Sequence, residues 1–186
     1  MSAPPSSTID YSSSLASDAD ERGAVPPAYD AGLLLLRLVL GLTMAGHGAQ
    51  KLFGWFSGPG LDGSGTFFTS LGYPSGKTMA VLDGLSELLG GLGLALGLLT
   101  PLAGAAVVGV MVNAVAVKWG GGFFVPTGVE YEVTLLAGAA ALALTGPGRL
   151  AVDRCLPGVR THRLGYGIAS VVLGVLVAAV VLLFRN

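Results

Sequence analysis

Charged residues are scarce in this chain. They make up 11% of its 186 residues, whereas about a quarter of an ordinary soluble domain is charged. So few charges cannot coat the surface of a soluble fold. Hydrophobic residues make up 52% of the chain and the mean hydropathy is +0.73. The composition therefore predicts an integral membrane protein, whose main partner is the lipid bilayer.

Cysteine and histidine are also rare, which limits the redox and metal chemistry of the chain itself. The single cysteine, Cys155, excludes an internal disulfide, a CxxC pair and a thiolate-ligated iron–sulfur cluster. His47 lies in an apolar segment and His162 in an arginine-rich one, so the two do not suit a membrane haem. We therefore predict no metal site and no intrinsic cofactor. A net charge of −1 provides no basic field for nucleic acid.

The first thirty residues have a different composition from the rest. Residues 1–30 contain seven serines and four prolines, with five acids against one arginine. They lack the basic start, apolar core and small-residue cleavage site of a signal peptide. We interpret this segment as a disordered tail on the cytoplasmic side of the membrane.

Five apolar segments follow, and each approaches the roughly 20 residues that a transmembrane helix needs. They cover residues 31–53, 78–99, 102–119, 129–144 and 166–184. The fourth is short, and the fifth contains no charge. The sequence thus predicts an all-α polytopic membrane protein with five passes.

The arginines between the fourth and fifth segments predict the orientation. Residues 149–163 contain Arg149, Arg154, Arg160 and Arg163. Short loops rich in Lys and Arg stay in the cytoplasm. Five passes then place the N-terminus inside and the C-terminus outside.

Ionisable residues within the apolar segments are the first candidates for function. A charge at the centre of a bilayer costs at least about 2.5–3.5 kcal/mol. Arg37 lies on a small or polar stripe of the first segment, within about 40° on a helical projection, together with Gly41, Met44, Gly48 and Lys51. Glu87 is followed by ten uncharged residues. We predict that Arg37 pairs with Glu87 inside the bundle. The alternative for Arg37 is that its side chain extends to the lipid headgroups. Asp83, which lies four residues before Glu87, could simply be solvated.

A polar group also stands where the first segment ends. His47, Gln50 and Lys51 precede a glycine-rich loop, and Glu130 and Glu132 open the fourth segment on the same side of the membrane. We predict a polar lid over this end of the bundle, in which either glutamate could pair with Lys51.

Several segments together resemble the DoxX family of small bacterial membrane proteins. They stand in the family's order: "HGAQKLFG" (47–54), "GPGLDGSGTFF" (58–68), "LGYP" (71–74), "SELLGGLGLALGLLTPLAG" (86–104), "GVEYE" (128–132) and "TGPGRLAVD" (145–153). The resemblance implies a four-helix transmembrane bundle over residues 31–153. A basic loop (154–165) and an additional transmembrane helix (166–186) would follow. The long tail and this fifth helix depart from the usual pattern of the family.

The resemblance also implies an association with redox chemistry at the bacterial plasma membrane. The family takes its name from a subunit of a thiosulfate:quinone or terminal quinol oxidase system. Some relatives are thought to work beside soluble redox enzymes, such as superoxide dismutase and a sulfurtransferase. The favoured hypothesis is a redox-associated subunit that binds a quinone or anchors an oxidoreductase complex. A small permease or proton-coupled carrier and a non-catalytic scaffold remain alternatives, and a homo-oligomer remains open.

A quinone site needs an apolar slot with one or two polar groups at the carbonyls. The candidate ligand-binding residues are Arg37, His47, Gln50, Lys51, Trp55, Glu87 and Glu130. His47, Lys51 and Glu87 would meet the headgroup, with Trp55 or Phe56 as an aromatic wall. No residue is assigned a catalytic role.

Overall fold

A computed structural model describes residues 27–124, 126–156 and 162–185 of the chain. The predicted tail lies almost wholly outside these residues, as does Arg160. The described part is helical and has six α-helices: α1 (Pro27–Phe53), α2 (Gly60–Ser70), α3 (Gly76–Leu96), α4 (Thr100–Lys118), α5 (Glu130–Thr145) and α6 (Leu164–Leu183). Short 3₁₀ turns cover Trp55–Ser57, Trp119–Gly121 and Val152–Cys155. The all-α prediction is confirmed.

Four of these helices are long and apolar enough to cross a membrane. They are Pro27–Phe53, Gly76–Leu96, Thr100–Gly121 and Leu164–Leu183. The C-terminal helix is therefore of spanning length, as predicted. Helix α5, the predicted fourth pass, has 16 residues, which is about 24 Å of helix against a hydrocarbon core of about 30 Å. It packs within the bundle but is too short to cover the full thickness alone.

The chain alternates between two ends of the bundle. At one end, which we call the Arg37 end, the Arg37 guanidinium reaches the carbonyls of Pro147 and Leu150. At the other, the Lys51 end, Arg185 Nε donates to the Leu71 carbonyl at 2.8 Å. Residues 27 and 185 therefore lie at opposite ends, which agrees with an odd number of passes.

Glycines bring α1 and α3 into close antiparallel contact. A Cβ added at Gly41 would lie 2.6 Å from the Ala95 nitrogen, and one at Gly48 would lie 2.6 Å from the Gly84 carbonyl oxygen. Only glycine permits this approach, which is how membrane helices pack without a hydrophobic driving force. The contact fixes the register: each step towards the C-terminus of α1 meets an earlier residue of α3.

The predicted stripe of α1 does face the interior. Arg37, Gly41, Met44 and Gly48 are buried. Met44 belongs to a core with Leu94, Val107, Val108 and Leu142, which are at most 1% exposed. Large apolar side chains of α6, such as Leu176 and Val180, are instead exposed on the outer surface. Such an arrangement is typical of a bundle whose surroundings are lipid.

Candidate functional site

Lys51 connects α1 to two carboxylates of α3. Its ammonium lies 2.8 Å from Glu87 Oε1 and is also hydrogen-bonded to Asp83 Oδ2. The carboxylates are four residues apart and so occupy one face of α3. Because Gly48 packs against Gly84, the next turn of α1 brings Lys51 level with these two acids. The local glycine packing thus positions the ion pairs.

A second ion pair lies beside the first at the Lys51 end. Lys118 Nζ, at the end of α4, is 2.6 Å from Glu132 Oε1 in the first turn of α5. We call the five residues Lys51, Asp83, Glu87, Lys118 and Glu132 the Lys51 cluster. Three carboxylates face two ammonium groups, so the cluster carries one negative charge in excess when all its members are ionised.

Two oxygens of this cluster have no hydrogen-bond partner within the described residues. They are Glu87 Oε2 and Glu132 Oε2, and both are buried. Glu87 is only 3% exposed and Glu132 only 8%. A buried acceptor without a donor costs about 1–3 kcal/mol, and more when it is charged. Such groups require a bound molecule, water or a proton.

Both glutamates line a cavity of about 220 Å³ at the Lys51 end. His47 and Tyr131 share a hydrogen bond of 2.8 Å on one side of it. Its aromatic lining comes from Phe67, Phe68, Tyr73 and Tyr131. The cavity therefore combines ionisable side chains with an aromatic wall.

Tyr73, in the loop between α2 and α3, is one of the residues that line this cavity. Its hydroxyl donates to Asn113 Oδ1 at 3.3 Å. Burial raises the pKa of Tyr73, which keeps the phenol protonated and able to donate. The hydrogen bond ties the loop to the middle helix α4.

A larger apolar groove adjoins the cavity between α3, α4 and α6. Its volume is about 370 Å³, and residues Phe68, Tyr73, Asp83, Val110 and Asn113 line both spaces. Ala106 and Gly109 are among the residues of α4 that line it. Leu82 and Val177, which also line it, are 54% and 52% exposed. The groove therefore opens on the lipid-facing surface.

The predicted pair of Arg37 and Glu87 is wrong. Arg37 Nη1 donates to the Pro147 carbonyl at 2.7 Å and Nη2 donates to the Leu150 carbonyl at 2.6 Å. Glu87 pairs with Lys51 instead. Arg37 is buried, with 1% of its surface exposed. In the antiparallel register, Arg37 faces the end of α3 at Gly97, far from Glu87.

The Arg37 end is organised by hydrogen bonds to loops. Asp153 accepts from the Leu99 nitrogen at 2.7 Å and from the nitrogen and hydroxyl of Thr100 at 3.0 Å. These donors open α4, where a carboxylate satisfies free N–H groups. Asp30 likewise accepts from the Arg149 nitrogen at 2.7 Å. Arg37 therefore belongs to a structural layer rather than to the cavity.

The remaining sequence candidates divide between the cavity and the surface. His47, Lys51 and Glu87 line the cavity together. Gln50 bonds the Phe56 carbonyl at 3.4 Å, and the Trp55 side chain is 59% exposed. Neither these two nor Glu130 is among the described residues that line the cavity. The aromatic wall expected of Trp55 or Phe56 is supplied by other rings.

Sequence reasoning missed several members of the site. Asp83 was open to an interpretation as solvated, yet it pairs with Lys51. Lys118 is not among the predicted site residues, and Glu132, one of two glutamates that could pair with Lys51, pairs with Lys118 instead. A signal was available: both residues lie at helix ends that a short loop brings to one level.

The fold and the site define a polytopic helical membrane protein with an ionisable cluster, two of whose glutamates are buried, at one end of its bundle. The family model of DoxX matches residues 32–125. The chain belongs to the DoxX family, as its motifs predicted.

Two similar proteins have curated names. A protein of Bacillus subtilis (strain 168) named "Putative oxidoreductase CatD" is 33% identical over 127 residues, which cover 68% of this chain and 87% of that protein. An "Uncharacterized membrane protein" of Mycobacterium tuberculosis (strain ATCC 25618 / H37Rv) is 32% identical over 136 residues, covering 67% of this chain and 80% of that protein. No solved structure shows significant similarity to the chain.

Proposed function

We propose that this protein binds a lipophilic redox carrier of the quinone class and presents it to an oxidoreductase at the membrane. One observation carries the proposal: the polar cavity at the Lys51 end and the apolar groove share lining residues, among them Asp83 and Asn113. A quinone has the same division, with a polar ring joined to a long apolar tail. The two spaces would hold these two parts side by side.

The volumes suit this assignment. A cavity of about 150 Å³ is enough to admit a benzene ring, so the 220 Å³ cavity accommodates a single-ring headgroup. The cavity is too small to hold a prenyl chain in addition to the ring. The groove supplies a further 370 Å³ of mainly apolar space that reaches the outer surface. A tail lying there would remain in contact with lipid.

The chemistry of the cavity also suits a carrier of electrons and protons. His47, Lys51 and Glu87 surround one space, and histidine and carboxylate side chains exchange protons readily when their surroundings change. Electrons would reside on the bound carrier and pass to a partner enzyme. The name of the Bacillus relative as an oxidoreductase supports a redox setting.

Extraction of the purified protein tests the proposal. The full chain is purified in mild detergent, and the lipid extract is analysed for quinones by mass spectrometry. Val177 on α6 lines the groove, and Val177→Trp should obstruct it and reduce the co-purified quinone. Val175→Trp is the matched control, because Val175 is also exposed on α6 but is not among the groove-lining residues. Wild-type protein without quinone, which also fails to bind added quinone, would contradict the proposal.

A further inference from the structure

A further cavity lies at the Arg37 end, between the starts of α4 and α6. Its volume is about 440 Å³, and its lining includes Leu99, Asp153 and Tyr166. Leu102 and Leu173 line both this cavity and the apolar groove. Both leucines are exposed, so the cavity opens towards the lipid-facing surface of the bundle. We call it the Arg37-end cavity.

Two hydroxyls of the Arg37-end cavity keep hydrogen-bonding capacity that the protein does not use. Ser170 lines the cavity and is 7% exposed, and its hydroxyl has no partner within the described residues. That oxygen remains accessible, unlike the sealed oxygens of Glu87 and Glu132. The Tyr166 hydroxyl is also without a partner in the described part of the chain, and this side chain is 60% exposed. Both hydroxyls can therefore donate to a ligand.

The other polar side chains of the lining are engaged within the protein. His162 Nε2 donates to the Leu144 carbonyl at 2.9 Å. Asp153 accepts from the backbone nitrogens of Leu99 and Thr100, so its negative charge is offset where α4 begins. Neither side chain leaves an unbalanced negative charge at the mouth of the cavity.

The two ends of the bundle carry opposite net charges. Among the described residues, the Arg37 end has four cations, all of them arginines, against two aspartates, which gives a net charge of +2. These residues are Arg37, Arg149, Arg154, Arg163, Asp30 and Asp153. The Lys51 end has one negative charge in excess, because Lys77 and Arg185 balance Asp62 and Glu130 outside the Lys51 cluster. Anions are therefore favoured only at the Arg37 end.

Two of these arginines stand next to residues that line the Arg37-end cavity. Arg154 follows Asp153, and Arg163 follows His162. Both arginines are exposed, and neither forms an ion pair within the described residues. A guanidinium group binds phosphate oxygens through paired N–H donors. Uncommitted cations thus flank a cavity that has free hydroxyls and an apolar opening.

We infer that the Arg37-end cavity binds an anionic phospholipid of the surrounding bilayer. Its phosphate lies beside Arg163 and accepts from the Ser170 and Tyr166 hydroxyls, while an acyl chain packs against the exposed leucines. Basic pockets between membrane helices recognise anionic headgroups in this way. The predicted orientation puts this end in the cytoplasmic leaflet, where anionic lipids are found. The inference does not depend on the proposed function, whose headgroup cavity lies at the Lys51 end.

A lipid titration of the full chain tests the inference. The protein is purified in mild detergent, and native mass spectrometry measures its binding of phosphatidylglycerol and of phosphatidylcholine with the same acyl chains. Each basic residue near an anionic headgroup contributes about fivefold in affinity. With two positive charges in excess, one phosphatidylglycerol should bind at least about tenfold more tightly than phosphatidylcholine. Glycerol phosphate has the charged group but no acyl chain, and it should not displace the phospholipid at equal concentration.

Variants separate the cavity from the charge around it. Ala169 is exposed and lines the cavity, so Ala169→Trp should fill it and reduce phosphatidylglycerol binding to the level of phosphatidylcholine. Ile168→Trp is the matched control, because Ile168 is 49% exposed but is not among the described lining residues. Arg163→Gln should weaken binding about fivefold. Lys77→Gln removes one exposed positive charge at the Lys51 end and should change nothing.

The results that would overturn the inference are distinct. Equal binding of the two phospholipids would remove the role of charge. A loss with Arg163→Gln but none with Ala169→Trp would show diffuse attraction to exposed arginines rather than a site. Displacement by glycerol phosphate would assign the site to a free phosphate ester instead of a lipid. If Ala169→Trp does not fold, Ala169→Leu adds less bulk at the same position and decides the same question.

Discussion

Lys51 of α1 lies 2.8 Å from Glu87 of α3, whereas Arg37 of the same helix lies at the opposite end of the bundle. Fourteen residues separate Arg37 from Lys51, which is about 21 Å of helix. The bundle therefore has two polar layers with an apolar core between them. The Arg37 layer binds loop carbonyls, and the Lys51 layer surrounds a cavity.

Removal of the Lys51 charge should destabilise the bundle strongly. Lys51→Met leaves the buried Glu87 and the partly buried Asp83 as neighbouring acids without a cation, and breaking a buried pair costs roughly 3 kcal/mol. Adding Glu87→Gln should recover part of that loss, because it removes one of the two orphaned carboxylates. The free energy of unfolding in detergent, measured by SDS titration, checks both results.

Lys77→Met is the matched control for Lys51→Met. Lys77 pairs with Asp62 at 2.6 Å, but the side chains are 64% and 91% exposed. Exposed pairs contribute about 0–1 kcal/mol, so this variant should unfold like wild type. Equal effects of the two substitutions would show that the Lys51 pairs lack the importance assigned to them.

Arg37 should be irreplaceable by lysine. Its planar guanidinium reaches two carbonyls at once, those of Pro147 and Leu150, and an ammonium is a single point donor. Arg37→Lys should cost about 1–2 kcal/mol, and Arg37→Met about twice that, because both carbonyls lose their donor. The same SDS titration measures the loss, and the amount of quinone that co-purifies with the folded fraction should be unchanged. If Arg37→Lys were as stable as wild type, the double contact of the guanidinium with the two carbonyls would not be needed.

The stripe containing Arg37 could be predicted because helical periodicity needs only one segment. Its partner could not be found in that way, since charge complementarity alone matched Arg37 with Glu87. Position along the bundle axis decides the partner, because in an antiparallel pair the start of α1 meets the end of α3. Gly48 against Gly84 and Gly41 against Ala95 set that register, and it brings Lys51 to Asp83 and Glu87. These glycines are visible in the sequence, but the contacts that they make between α1 and α3 are not.

Two glycines of α1 that lie on different faces of the helix, Gly48 and Gly46, should respond oppositely to alanine. A Cβ at Gly48 would meet α3 backbone within 2.6 Å, whereas a Cβ at Gly46 would meet nothing within 4 Å. Gly48→Ala should therefore destabilise the protein by about 1–3 kcal/mol through overpacking. Gly46→Ala should stabilise it by up to about 1 kcal/mol through helix propensity. Thermal unfolding in detergent compares the two, and equal shifts would contradict the packing of α1 on α3.

The cavity was harder to predict than the bundle, because five helices, α1 to α5, and the loop between α2 and α3 all contribute to its lining. Tyr73 comes from a loop, Asn113 from α4 and Glu132 from α5. Nothing in a single segment marks these residues as neighbours. The sequence located His47, Lys51 and Glu87 because each interrupts an apolar run. The aromatic wall was assigned to Trp55 by proximity in sequence, but the loop turns that side chain to the surface.

The orientation of the protein can be tested with its own cysteine. Cys155 is exposed and lies in the Val152–Cys155 turn at the Arg37 end, for which the nearby arginines predict a cytoplasmic location. A membrane-impermeant maleimide should therefore label Cys155 in lysed cells but not in intact spheroplasts. As a control, Asp62→Cys in a Cys155→Ser background should be labelled in intact spheroplasts, because α2 lies at the opposite end. The reverse pattern would place the Lys51 cavity on the cytoplasmic side, so a partner enzyme would have to be sought there.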